Sequence, residues 1–127
     1  MHIHNTARIA YPWLLRVGDH SAIGESALIY NLGKIDIGKF VTISQFSHLC
    51  AGSHDYSTRE MKLIRSQITI LDDAWICANA LIGPGVEVGQ GAIVSAGAVA
   101  MRDVPPWTIV TGNPATVFKA RERFSDS

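Results

Sequence analysis

A six-residue period runs from Ile70 to Val104 and constrains the fold more than any other feature. Each unit opens with an aliphatic residue or, once, with alanine, and a small or β-branched residue follows four positions later. This period matches neither the ~3.6-residue turn of an α-helix nor the alternation of a meander strand, and it is typical of a parallel β-helix with triangular coils. The opening residues are Ile70, Ile76, Ile82, Val88, Val94 and Ala100, and the later ones are Ala74, Ala80, Val86, Ala92, Ala98 and Val104.

The same period extends, with interruptions, towards the N-terminus. Residues 1–16 are ambiguous, although Ile3 and Ile9 keep the six-residue step and favour an opening coil. Within residues 30–36 the frame gains two residues, which predicts a bulge that carries Asn31. Eleven units fit the frame, so we expect roughly five coils in a prism about 25 Å tall, given the ~4.8 Å spacing of paired strands.

Two segments break the period. Residues 54–69 contain no hexapeptide unit, so we expect an extruded loop there, and such loops are usually functional. After a Pro-Pro pair we expect a last strand, a turn and a short basic helix from Ala115 to Phe124. Residues 1–111 would then form an all-β prism, and residues 112–127 a capping turn and helix of the same domain, frayed at 125–127.

Composition limits the class of protein. The 127 residues are 47% hydrophobic and carry zero formal net charge, which favours one packed domain and gives no electrostatic footprint for nucleic acid. No apolar run reaches the ~18 residues of a membrane span, and the N-terminus lacks a signal-peptide layout. Cys50 and Cys77 are isolated, so we expect reduced thiols in a cytoplasmic protein, with a disulfide as the alternative.

Four motifs connect the chain to a known family: Tyr30–Gly33, Gly52–Tyr56, Ala74–Ile76 and Asp103–Ala115. The His-Asp-Tyr loop combined with the Pro-Pro and Gly-Asn-Pro tail is the most specific of these signals. On these motifs the chain resembles the hexapeptide-repeat acyltransferases from about residue 7 to residue 122. It is most similar to the O-acetyltransferases of colanic acid and exopolysaccharide biosynthesis, relatives of the maltose, galactoside and nodulation-factor acetyltransferases.

The resemblance implies a left-handed parallel β-helix in homotrimers, with active sites in clefts between neighbouring prisms. It further implies acetyl-CoA as the acyl donor, a sugar or glycan precursor as the acceptor, and no metal. Residues 1–111 would be the catalytic prism. Members of this type often carry a longer N-terminal segment, whereas this chain starts almost directly with the prism, so the identity of the acceptor stays open.

His54 matches the catalytic histidine of that family and alone among five histidines begins the extruded loop. Histidine is the natural general base near neutral pH. We predict that His54 removes the proton of a sugar hydroxyl as the hydroxyl attacks the thioester directly, without a covalent acyl-enzyme. Cys50 lies close in sequence but not in the frame of a dyad. The alternative for His54 is a loop histidine that hydrogen-bonds a turn.

Two further residues are predicted to assist His54. Asp36 lies eighteen residues earlier, which is one coil of an unbroken frame, so the two side chains would stack about 5 Å apart and Asp36 would orient the imidazole. Asp55 competes for that role, and a solvated corner aspartate is the alternative. Asn31 looks like the family asparagine that contacts the acceptor or the oxyanion, with an ordinary Asn-Leu-Gly turn as the alternative.

The resemblance also assigns a coenzyme slot along the later coils. An aromatic residue would pack against the pantetheine arm, small residues would let the arm approach the backbone, and a basic residue would meet the phosphates. Thr116 stands where some relatives carry arginine, so Lys119 or Arg121 on the terminal helix would supply that charge. Corner packing is the alternative for the small residues. The predicted coenzyme residues are Trp75, Ala78, Ala96, Gly97, Met101 and Arg102.

Two other classes of function remain open. A carbonic-anhydrase-like metal enzyme on the same fold needs three histidines from two chains. His48 and His54 are six residues apart and would project from successive faces, which disfavours one shared ion. A non-catalytic binding or scaffold prism is the other class.

Overall fold

The computed structural model describes residues 1–124 and consists of short strands that form three parallel sheets. The chain visits the sheets in the same order in each coil, so they are the faces of a prism, numbered here in that order. The residues predicted to fray, 125–127, lie outside the described part. Within residues 1–124 no helix is long and apolar enough to cross a bilayer.

Face 1 contains β1 (His2–Ile3), β4 (Ala22–Ile23), β7 (Thr42–Ile43), β12 (Trp75–Ile76), β15 (Ile93–Val94), β17 (Thr108–Thr111) and, at its edge, β18 (Thr116–Ala120). Face 2 contains β2 (Arg8–Ile9), β5 (Leu28–Tyr30), β8 (His48–Cys50), β13 (Leu81–Ile82) and β16 (Val99–Ala100). Face 3 contains β3 (Leu15–Val17), β6 (Ile35–Ile37), β11 (Ile68–Ile70) and β14 (Glu87–Val88). Outside the faces, β9 (Gly52–His54) and β10 (Leu63–Arg65) form an antiparallel hairpin, and Pro12–Leu14 form a 3₁₀ turn.

Strand register confirms the predicted stack of about five coils. In the C-terminal half Ile76 pairs with Val94, which is the eighteen-residue step of three hexapeptides. In the N-terminal half Ile23 pairs with Ile43, a step of twenty. The two extra residues lie between face 2 and face 3, which confirms the predicted bulge at residues 30–36. The first coil has the same two-residue insertion, and there it takes the form of the 3₁₀ turn. Residues 1–16 therefore do form an opening coil.

The interior is a column of aliphatic side chains, as the period predicted. The opening residues Ile76, Ile82 and Val88 are 0% exposed, and the small residues four positions on, such as Ala74 and Ala92, are 1% and 0% exposed. Burying one such isoleucine or valine contributes roughly 1.5–3 kcal/mol to folding. The prism is therefore held together by the same residues that set its period.

The corner between face 3 and face 1 is a column of left-handed residues with φ between 53° and 69°. From the second of these corners onwards, the backbone N–H donates to a carbonyl oxygen in the corner of the coil before it, and the N–O distance is 2.8 Å from Gly91 to Asp72 and from Trp107 to Gln90. Only Gly91 in this column is a glycine, although the left-handed region favours glycine. Backbone hydrogen bonds between coils therefore offset the strain of the left-handed conformation. The column consists of His20, Phe40, Asp73, Gly91 and Trp107.

The predicted C-terminal helix is wrong, because residues 116–120 form a strand, β18, antiparallel to β17. The last coil leaves one edge of β17 with unpaired N–H and C=O groups, and pairing them outweighs the weak helical pattern of this segment. Arg121 then folds back onto the last corners, where its Nη1 donates to the carbonyl oxygens of Asp73 and Gly91, each at 3.0 Å. The C-terminal segment thus fastens the end of face 1.

Neither cysteine forms a disulfide in this structure. Cys77 is buried, and burial raises the pKa of its thiol. The Sγ of Cys50 donates to the carbonyl oxygen of Gly52 at 3.3 Å. Both residues are thiols, as the sequence predicted.

The left-handed corners give a matched pair of substitutions, Gly91→Ala and Gly97→Ala. Both glycines have nearly equal φ, +69° and +70°, so an added Cβ causes a similar backbone strain of about 1 kcal/mol at each. A Cβ at Gly91 would also overlap the Trp107 ring, whereas nothing lies within 4 Å of a Cβ at Gly97. Thermal unfolding followed by circular dichroism should show a clearly lower midpoint for Gly91→Ala. Equal midpoints would contradict this packing of Trp107.

Candidate active site

The hairpin of β9 and β10 leaves the prism between face 2 and face 3. Its base is fastened by the carbonyl oxygen of Ala51, which accepts from the N–H groups of Gly33 at 3.0 Å and Ser66 at 3.1 Å. The predicted excursion is confirmed, but its boundaries were wrong. It begins at Gly52 rather than His54, and Ile68 is already back in β11. The segment was expected to be a loop because it contains no hexapeptide unit, and an antiparallel pair outside the prism does not follow that period.

The His54 imidazole is held by a backbone carbonyl of the same hairpin. Its Nδ1 lies 2.8 Å from the carbonyl oxygen of Met61. A carbonyl oxygen only accepts, so Nδ1 must carry the proton, and in the neutral ring Nε2 then has a free lone pair. Met61 has a left-handed φ of 51°, and its own N–H donates to Thr58 at 3.3 Å. The turn thus fixes the tautomer that a general base needs.

The stacking predicted between Asp36 and His54 is wrong. Asp36 lies on face 3, where its neighbour in the next coil is Thr69, and its carboxylate accepts from Gln67 Nε2 at 3.1 Å and faces Arg16 Nε at 3.9 Å. The eighteen residues from Asp36 to His54 do not make one complete coil, because the chain leaves the prism at Gly52. The catalytic role of Asp36 therefore loses its geometric basis.

Asp55, the other carboxylate considered for orienting His54, forms its hydrogen bonds within the hairpin instead. Its Oδ1 accepts from the N–H of Ser57 at 3.0 Å and from the Ser57 hydroxyl, and these hydrogen bonds lower the pKa of Asp55. Within residues 1–124 neither Asp36 nor Asp55 hydrogen-bonds His54. The group that orients the imidazole is the Met61 carbonyl, and no residue pattern in the sequence indicates this contact.

Asn31 is in the predicted bulge but not in the predicted role. Its side chain is 0% exposed, with Oδ1 accepting from the N–H of Tyr11 at 2.8 Å and Nδ2 donating to the carbonyl of Tyr11 at 2.6 Å. A side chain buried in this way joins the first two coils and does not face an acceptor. The structure thus corrects the assignment of Asn31 to acceptor or oxyanion binding.

Four of the predicted coenzyme residues lie together on face 1 and at its corner with face 2. Trp75 is 43% exposed on β12, and its Nε1 donates to Ser44 Oγ at 2.8 Å, which holds the ring in place. Ala78 and Gly97 occupy successive coils of the corner, joined by a 3.0 Å hydrogen bond from the Gly97 N–H to the Ala78 carbonyl. Ala96 is exposed beside them.

The other two, Met101 and Arg102, lie at the corner between face 2 and face 3, the corner from which the hairpin leaves. They line a cavity of about 190 Å³ together with Pro114, Ala115 and Thr116. On face 2 the strand β13 lies between β8 and β16, so two strand spacings, about 10 Å, separate this cavity from the hairpin along the prism axis. Arg121, which was offered as a phosphate ligand, is instead engaged with Asp73 and Gly91.

One chain therefore presents two groups of predicted site residues, separated by the width of face 2. His54 is exposed in the single chain and does not line the cavity at Met101.

His48 and His54 do not converge. His48 lies on face 2 between Leu28 and Leu81, where its Nε2 is buried without a hydrogen-bond partner and burial lowers its pKa. Within residues 1–124 no group of three or more His, Cys, Asp or Glu side chains is arranged to hold a metal ion.

Known proteins share this architecture. The profile of the family described as bacterial transferase hexapeptide (six repeats) matches residues 67–100. The crystal structure of a hexapeptide-repeat acetyltransferase of Vibrio cholerae, VCA0836, superposes with a TM-score of 0.90 and 30% identity, over 96% of this chain and 71% of that one. A maltose O-acetyltransferase of Clostridium difficile 630 superposes with a TM-score of 0.87 and 25% identity, over 96% and 67%.

A curated relative from Escherichia coli K12, the putative colanic acid biosynthesis acetyltransferase WcaF, is 35% identical over 119 residues, which is 94% of this chain and 65% of the relative. The fold is thus the left-handed parallel β-helix of hexapeptide repeats. The chain belongs to the hexapeptide-repeat acetyltransferase family. It spans about two thirds of the length of the curated relatives that match along it.

The hydrogen bond of His54 can be tested by changing Met61. Met61→Val should weaken it, because a β-branched residue disfavours the left-handed φ of the turn, whereas Met61→Gly keeps both the conformation and the carbonyl. In ¹⁵N-resolved NMR, wild type and Met61→Gly should show neutral His54 protonated at Nδ1, and Met61→Val should shift towards the mixture of a free imidazole. An Nε2-protonated His54 in wild type would contradict the assignment.

Proposed function

We propose that this chain acts as an acetyl-CoA-dependent O-acetyltransferase that transfers an acetyl group to a sugar hydroxyl in polysaccharide biosynthesis. The observation that carries the proposal is the His54 imidazole, projected from the prism and held at Nδ1 so that Nε2 is free as a base. Support comes from the colanic acid relative and from the structure of the Vibrio cholerae protein complexed with acetyl coenzyme A, which superposes with a TM-score of 0.87 and 29% identity.

The chain's own groups account for the proton transfer. Nε2 of His54 accepts the hydroxyl proton as the hydroxyl oxygen attacks the thioester carbonyl carbon. The new C–O bond forms, the C–S bond breaks, and the coenzyme thiolate takes the proton back from the imidazolium. The Met61 carbonyl keeps Nδ1–H in place and stabilises the positive charge of the ring.

Direct transfer, without an acyl-enzyme, agrees with the state of both thiols. Cys77 is buried and its pKa is raised, which disfavours the nucleophilic thiolate. The Sγ of Cys50 is directed to the Gly52 carbonyl. Neither group forms a nucleophile-base pair with His54 in the described part of the chain.

The two separated groups of coenzyme residues favour an active site shared between chains. We place the pantetheine arm against Trp75, Ala78, Ala96 and Gly97 of one protomer and the His54 hairpin of its neighbour in a homotrimer. A closed ring of three identical interfaces would build three such clefts. Arg102 then supplies positive charge to the phosphates of the coenzyme.

Replacing His54 by Asn tests the base. Asn keeps an N–H donor for the Met61 carbonyl but cannot accept a proton near neutral pH, so kcat should fall by about 10²–10⁴-fold. Release of free thiol from acetyl-CoA, measured over a panel of sugars, reports kcat, and the thermal midpoint should not change because His54 is exposed.

His20→Asn is the matched control, since His20 is an exposed corner residue with a left-handed φ of 61° that Asn tolerates. Thiol release equal to that of wild type in His54→Asn would refute the role of His54 as the base. No thiol release in wild type with any acceptor would leave a non-catalytic prism, and bound zinc with carbon dioxide hydration would support the metal-enzyme alternative.

Mixing two inactive variants tests the shared cleft. His54→Ala removes the base, and Ala96→Trp blocks the slot at an exposed position that the fold tolerates. If each site takes one group from each of two neighbouring chains, co-expressed variants should regain about a quarter of wild-type activity, because one intact cleft forms for every four random pairings. Either variant alone should stay inactive. No recovery in the mixture would place both groups in the same chain.

A further inference from the structure

We propose that a groove at the base of the hairpin binds an anionic group of the acceptor, either a phosphate or a carboxylate. This inference rests on the proposed function and specifies its acceptor. The groove has a volume of about 310 Å³ and lies at the corner between face 2 and face 3, where the hairpin leaves the prism. It is lined by Leu14, Leu32, Gly33, Lys34, Arg65 and Gln67.

The groove opens on the side of the hairpin that carries His54. In an antiparallel ribbon, paired side chains lie on the same side, and so do alternate residues of one strand. His54 pairs with Leu63 and Gly52 pairs with Arg65, so His54 and Arg65 share a side as diagonal neighbours, about 7–8 Å apart at their Cα atoms.

Gly52 shows that this side faces the groove. A Cβ built on Gly52 would lie 2.7 Å from Cδ1 of Leu32, one of the apolar residues of the groove. The direction that the Gly52 side chain would take is also the direction of the His54 and Arg65 side chains. A molecule in the groove therefore lies on the imidazole side of the hairpin.

The charges at the groove are positive and available. Lys34 and Arg65 are both exposed, and neither forms an ion pair within residues 1–124. The nearest carboxylate of face 3, Asp36, is held by Arg16 at 3.9 Å and by Gln67 at 3.1 Å, and Asp55 is bonded to Ser57 further along the hairpin. Two cationic groups thus remain for a ligand.

The chemistry of the lining fits an acidic or phosphate-linked sugar. The guanidinium of Arg65 offers the paired N–H donors that suit carboxylates and phosphates, and Lys34 adds a second cation. Leu14, which is partly exposed, provides apolar surface for the C–H face of a ring, and the buried Leu32 forms the floor beneath it. The volume is at the low end of small-molecule sites, ~300–1,000 Å³, which suits one sugar unit with its anion.

The test is a binding measurement on protein saturated with coenzyme A, so that the phosphate sites of the coenzyme are occupied. Isothermal titration uses pyrophosphate for a diphosphate-linked sugar, glucuronate for an acidic sugar, and glucose as the neutral probe. Lys34→Gln and Arg65→Gln are the variants. Arg59→Gln is the matched control, because Arg59 is exposed on the same hairpin but does not line the groove.

Wild type and Arg59→Gln should bind one of the two anions more tightly than glucose, with one site per chain. Each groove variant should weaken that binding about tenfold, as loss of a charged hydrogen bond does. Tighter binding of pyrophosphate would indicate a diphosphate-linked sugar as the acceptor, and tighter binding of glucuronate would indicate an acidic sugar. If neither anion binds more tightly than glucose, or if Lys34→Gln and Arg65→Gln bind like wild type, the proposal is overturned.

These outcomes are separable from the proposed function. Acetyl transfer to neutral sugars that requires His54 but is indifferent to Lys34 and Arg65 would refute the anion site and keep the transferase. Anion binding lost in both groove variants, in a protein that cleaves no acetyl-CoA with any acceptor, would keep the site and refute the transferase.

Discussion

Burial of one aliphatic side chain at the start of each hexapeptide is the interaction on which the rest of the structure depends. Side chains such as Ile43, Ile76 and Val94 stack along the axis of the prism and are 0–1% exposed. Because each strand contributes one such residue, no strand is stable apart from its neighbours in the stack. The column also leaves the outward residues of each strand free to vary, which is where the candidate site is built.

The candidate site arises where the chain departs from that regular stack. The hairpin replaces the direct passage from face 2 to face 3, and its backbone hydrogen bonds at Ala51 tie it to the coil it interrupts. The Met61 carbonyl fixes the orientation of the His54 ring within the hairpin. The hydrogen bonds at Ala51 fix the hairpin to the prism, so the imidazole has a defined position relative to the coils. The predicted coenzyme residues lie at two corners of the prism, and the full width of face 2 separates them.

Features that repeat could be predicted from the sequence, and features made by single contacts could not. The period identified the inward residues and the bulge at residues 30–36, because burial leaves a residue pattern. The helix predicted for 115–124 failed because the free edge of β17 is a tertiary feature. Asp36 was misplaced because counting residues assumes that the chain stays on the prism. The Met61 carbonyl had no sequence signal, since any residue has a carbonyl, and the left-handed φ of Phe40 and Trp107 contradicts their usual preference.

We propose that His54 acts on the thioester from across a cleft between two chains. A crystal structure of the oligomer with coenzyme A bound measures this most directly, through the distance from His54 Nε2 of one protomer to the coenzyme sulfur. We expect about 4–6 Å, with the pantetheine arm against Trp75 of the neighbouring protomer, since a hydroxyl must fit between base and thioester. A sulfur more than about 10 Å from every His54 Nε2 would rule out His54 as the base, because no single hydroxyl could contact both groups.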